Sequence, residues 1–151
     1  MSTCRPKHDW RFYCDRSEFS GTDLFELHPG DFPDGKMAWW SKGSGFVREE
    51  NFEPFSTMLN RLVPDFDWYG ETKVSPPLCK TLRAELVNKR EAVERASTME
   101  DLKSACGYEH IDDDGLLLPT LRIYLVKMID DFIDLLDESI ERNEPFWLLG
   151  L

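Results

Sequence analysis

The stretch KMIDDFIDLLDESIERNEPFWLLGL, Lys127–Leu151, joins two patterns that decide the fold. At about 100° per residue, Met128, Phe132, Leu135 and Leu136 fall on one side of a helix, together with Leu121 and Leu125 upstream. Asp130, Asp134, Asp137 and Glu141 fall on the opposite side. Pro119 suits the first turn of such a helix, where its missing amide leaves no bond unmade. The tail that follows, EPFWLLGL, is apolar on both alternations. It is expected inside the core, as a strand if extended, because an exposed tail of this kind would invite aggregation.

The helix carries unusual charge. Of the seventeen residues Met128–Glu144, seven are acidic and Arg142 alone is basic. Like charges four residues apart cost about 0.2 to 0.5 kcal/mol each and Asp is a poor helix former, so apolar burial must hold this helix. Between Glu109 and Glu144 eleven acids face Arg122, Lys127 and Arg142, a net of −8 out of −11 for the whole chain. The stripe reads either as a solvated face or as a docking face for a basic partner. A concentrated patch would steer such a partner in. On the second reading Asp112, Asp113, Asp114, Asp130, Asp134, Asp137, Glu138 and Glu141 form the interface.

Working back along the chain, Thr98 with Glu100 and Asp101 looks like a helix cap with acids in the first turn, and the short helix stops near Gly107. YEHIDDDG after it is a loop. Ser75-Pro76 starts an earlier helix in which Leu78, Leu82, Leu86 and Val93 mark one stripe and Arg83, Glu91 and Glu94 lie outside it, running to about Ala96. WYGETKV suggests a short strand. EENFEPFSTMLNRLV places Phe52, Phe55, Met58, Leu59 and Leu62 at helical spacing, ended by Pro64. KMAWWS reads as a strand after a tight turn at Asp34-Gly35. DWRFYCD alternates, with Trp10, Phe12 and Cys14 on one face and Arg11 and Tyr13 on the other. The fold class expected is α+β: a small antiparallel sheet from the N-terminal half packed against about four helices, in a single domain over residues 1–151 whose ordered core starts near residue 9.

The 151 residues suffice for one core, and 41% hydrophobic content with 13% aromatics is that of a folding chain. A net charge of −11 opposes nonspecific binding to nucleic acid and to anionic membranes. No apolar run approaches the roughly 18 residues of a membrane span, and the opening MSTCRPKHDW lacks the apolar core of a secretory signal. The cytoplasm is therefore the expected compartment, and Cys4, Cys14, Cys79 and Cys106 are expected as thiols.

Other chemistries match poorly. His8, His28 and His110 are scattered and no CxxC occurs, so no metal or other cofactor is expected. The acids of IDDDG are adjacent, whereas a calcium loop needs them at alternate positions with a glutamate at the twelfth. SKGSGF lacks the GK[ST] end of a phosphate loop. Cysteine, serine, histidine and acid are all present, but nothing local marks a nucleophile, so an enzyme is not expected. Trp39-Trp40 is a second candidate interface, since a strand would point one indole to the core and leave the other outside.

DFDWYGETKVSPPLCKTLRAEL leading into a helix, the acidic last helix and the apolar end EPFWLLGL together resemble the immunity proteins of bacterial contact-dependent and other polymorphic toxin systems. The resemblance covers roughly a third of the chain and carries no residue by position. It implies a role: binding one cognate toxin domain, often a basic nuclease, and covering its active site. The alternatives are a regulatory or adaptor subunit that binds a host protein through the aromatic half, and a small hydrolase.

Overall fold

The computed structural model describes residues 10–14, 23–32, 41–113 and 115–150. The apolar tail is strand β4, Phe146–Gly150, and it lies in the interior of the sheet. It pairs antiparallel with β1 (Leu24–Pro29) on one side and β3 (Glu71–Val74) on the other, and β2 (Gly45–Arg48) extends the sheet beyond β1, giving the order β2-β1-β4-β3. The sheet is antiparallel as expected. It does not come from the N-terminal half alone: β4 supplies an interior strand, hydrogen-bonded along both edges, with Phe146, Leu148 and Leu149 fully buried. Gly150 ends β4 where no side chain fits: a Cβ there would lie 1.9 Å from the Trp68 carbonyl oxygen, and its own amide donates to Gly70 O at 2.8 Å.

One face of the sheet meets the helices. Phe25, Leu27, Phe146, Leu148 and Val74 point to it, and Phe146 stacks on Phe132 with centroids 6.1 Å apart. Phe132 belongs to α5, Leu118–Arg142, whose buried side adds Leu121, Leu125, Met128, Ile129, Ile133 and Leu136. Full burial of such side chains is worth about 1.5 to 3 kcal/mol each, which outweighs the repulsion among the acids. Asn143 closes α5 in the left-handed conformation, and buried Ser139 fastens the return: its Oγ accepts from Gly30 N at 3.0 Å and donates to Pro145 O at 3.2 Å.

α3, Pro76–Arg95, lies along α5 and buries Cys79, Leu82, Leu86 and Val93; Ser75 precedes it without a side-chain cap bond. α4, Met99–Cys106, has such a bond: Thr98 Oγ1 accepts from Asp101 N at 3.1 Å, and Gly107 at φ 65° ends the helix. The single helix expected over EENFEPFSTMLNRLV is broken. Pro54 lacks an amide donor, so α1 (Glu49–Phe52) passes through a 3-10 turn at Glu53–Phe55 into α2 (Ser56–Leu62). Phe52, Phe55, Met58 and Leu59 nevertheless all reach the core.

The other face carries Leu24 and Phe46, which pack with Tyr13, and a buried polar group. Among its described residues DWRFYCD contributes one bridge, Tyr13 to Phe46 at 2.6 and 2.7 Å; Tyr13 is buried and Cys14 exposed, against the expected alternation. The strand expected at KMAWWS and the turn at Asp34-Gly35 lie outside the described residues. Buried Glu26 accepts from Ser44 Oγ at 2.6 Å and from Ser41 N at 2.9 Å. Ser44 thus commits its only hydrogen to Glu26, and His28 Nδ1 lies 2.8 Å from the same Ser44 Oγ. The His28 ring stacks on Phe32, 4.4 Å between centroids.

Burial lowers the His28 pKa, a shift that the nearby Glu26 charge only partly opposes. Below about pH 6.5 the unfolded chain takes up a proton at this residue that the folded chain refuses until lower pH. Stability should therefore fall as pH drops from 7.5 through 6.5 and level off below the folded pKa. Urea titrations at several pH values should show this loss in wild type and a smaller one in His28→Gln; parallel curves for the two would contradict the assignment.

Candidate partner-binding face

α3 and α5 run antiparallel, and the acids of α5 divide between the side that meets α3 and the side that meets solvent. Arg90 Nε donates to Asp130 Oδ1 at 2.6 Å and its Nη2 to Oδ2 at 3.3 Å, while Nη1 reaches Glu94 at 2.8 Å. One heptad away Arg83 makes the same fork on Asp137, at 2.5 and 3.4 Å. Asp130 and Asp137 were expected to face a partner; they instead join two helices of the same chain. The pairs are a third or more exposed, so each contributes only about 0.2 to 1 kcal/mol.

Asp134, Glu138 and Glu141 are exposed and have no ion pair or hydrogen bond among the described residues. Asp131, not singled out from the sequence, is held by Lys127 at 3.2 Å. At the other end of α5 the surface becomes apolar. Four large hydrophobic side chains are exposed among the described residues, and three are here: Leu117 at 73%, Ile123 at 70% and Tyr124 at 41%. Ile123 and Tyr124 share an arc of about 100° with Asp134, Glu138 and Glu141. The outward face of α5 is thus apolar toward its start and anionic toward its end.

Asp112 and Asp113 of IDDDG are not continuous with these acids. Asp112 pairs with Lys103 of α4 at 3.3 Å and Asp113 with His110 at 3.2 Å, at the end of α5 that begins with Leu118. Glu138 lies twenty residues further along, about 30 Å at helical rise. Proximity in sequence suggested a single patch; the length of the helix separates them. Asp114, Trp39 and Trp40 lie outside the described residues.

Ser44 directs its proton at Glu26 and is only 3% exposed. Burial pushes the Cys79 thiol up to about 11 and raises that of Cys106, so both stay protonated at neutral pH. Among the described residues no three His, Cys, Asp or Glu side chains are grouped to hold a metal ion, and no helix is long and apolar enough to cross a membrane. No protein-family model, curated protein or solved structure matches the chain.

The division of the acids predicts opposite outcomes for neighbouring substitutions. Asp134→Lys should change unfolding free energy by less than about 0.5 kcal/mol, as at an open surface site. Asp137→Lys sets a second cation against Arg83 and should cost about 1 kcal/mol. Equal effects in urea denaturation would show that the Arg83 fork contributes nothing.

Proposed function

We propose that this chain is a cytosolic binding protein that neutralises a basic protein, in the manner of an immunity protein occluding a toxin or nuclease domain. The observation that carries the reading is the outward face of α5, where exposed apolar side chains and carboxylates without a partner among the described residues share one surface. Soluble chains seldom leave large apolar groups clustered in water unless something covers them. An apolar anchor beside charge of one sign is the anatomy of a specific interface, with the charge setting encounter rate and choice of partner.

On this reading Asp134, Glu138 and Glu141 stand in for the phosphates that a nuclease would otherwise hold, while Leu117, Ile123 and Tyr124 supply buried area. Asp130 and Asp137 act indirectly by fixing α5 against α3. Inhibition is by occupancy, one chain per toxin domain, without turnover. The chain's own net charge of −11 disfavours direct contact with nucleic acid.

The test is to purify the protein encoded beside this chain's gene, mix the two, and measure affinity and residual toxin activity. Wild type should form a one-to-one complex and abolish activity. Asp134→Lys with Glu138→Lys should weaken binding by about a hundredfold or more, since like charges facing each other across an interface cost several kcal/mol. If the folded double variant binds as tightly as wild type, or the neighbouring protein is not bound at all, the proposal fails.

A further inference from the structure

Beside the acidic end of α5 runs a groove of about 480 Å³. Phe12 and Leu135 of α5 supply an apolar part of its lining. Phe12 is steadied by an edge contact with Phe132, 6.2 Å between centroids. One wall is bare backbone. A Cβ on Gly45 would come within 2.7 Å of Leu135 and 3.4 Å of Phe12, whereas one on Gly43 would meet nothing within 4 Å. Side chain therefore closes the groove at Gly45, and free space opens at Gly43.

The opposite wall is α5 itself, with Asp131, Asp134 and Glu138. Lys127 lines the same groove and neutralises Asp131 at 3.2 Å. Asp134 and Glu138 remain, one helical turn apart, uncompensated among the described residues. Residues so spaced have Cβ atoms about 5 to 6 Å apart, a separation that one planar fork of donors can bridge. The groove thus combines an apolar, partly aromatic lining with two adjacent carboxylates. An aliphatic stem carrying a delocalised cation is complementary to both.

We propose that this groove receives an arginine side chain of the partner, its stem along Phe12 and Leu135 and its guanidinium bridging Asp134 and Glu138. The proposal rests on the docking reading of α5 and adds the residue type that the partner must present. Arginine fits better than lysine because its planar head pairs with carboxylates through several donors and stacks on rings, whereas an ammonium acts as a strongly hydrated point charge.

The test titrates the isotopically labelled full chain with the capped tripeptide acetyl-Leu-Arg-Leu-amide and follows backbone amides by NMR. Saturable shifts should centre on Gly43, Ser44 and Gly45, and the lysine tripeptide should bind about tenfold more weakly, as befits the loss of one charge-assisted bond. Asp134→Asn with Glu138→Gln removes charge from two exposed positions that support nothing else, and should weaken the arginine peptide by about tenfold or more. Gly43→Asn, tolerable at its positive φ, narrows the groove without altering charge and should also weaken binding. Unsaturable shifts scattered over all exposed acids, equal affinity for the lysine peptide, or indifference to either variant would overturn the proposal. The tripeptide needs no toxin, so the two proposals fail separately. A groove that binds arginine in a chain that ignores its neighbour's product sinks the function alone, and neutralisation without peptide binding sinks the groove alone.

Discussion

The rest of the structure depends on the pairing of β4 with both β1 and β3. The last strand of the chain is an interior strand, so the first and third strands have no common partner until residues 146–150 are in place. Only Asn143, Glu144 and Pro145 separate β4 from α5, and buried Ser139 ties that turn to Gly30. The orientation of α5 is therefore set by the sheet. Phe132 stacks toward Phe146, and Ile123, Asp134 and Glu141, roughly opposite Phe132 on the helix, are turned to solvent. The candidate interface is a consequence of where the tail lies.

The second constraint is electrostatic. A helix with so many acids lies against α3, which presents Arg83 and Arg90 to it. The two arginines are seven residues apart, as are Asp137 and Asp130, so the pairs repeat along the antiparallel seam. Their modest energy matters less than their selectivity, because a different rotation of α5 would place carboxylates against apolar surface. What remains outside the seam, Asp134, Glu138 and Glu141, is charge that folding does not use. Together with exposed Ile123 and Tyr124 it makes this face the strongest candidate for a partner.

Much of the fold is legible in the sequence where local chemistry sets it. Pro76 and Pro119 mark helix starts, Thr98 and Gly107 bracket α4, and the apolar spacing of α5 identifies the buried side. Pairing between distant elements is not legible in that way. Nothing local to EPFWLLGL says that it lies between β1 and β3, and alternation in DWRFYCD is overridden because only Tyr13 meets the edge of β2. The division of the acidic stripe could have been found: Arg83 and Arg90 lie outside the apolar stripe of α3 at the same heptad spacing as two of the aspartates. The groove beside Leu135 has no sequence signature, since Phe12, Gly43 and Leu135 are far apart along the chain and meet only in the fold.

Native-state hydrogen exchange tests most directly whether β4 organises the molecule. The amides of Phe146–Leu149 should exchange only through global unfolding, with the same opening free energy as the most protected amides of α3 and α5. If these amides instead open locally, at a free energy well below that of the helices, the sheet closes without its last strand. The orientation of α5 would then need another cause.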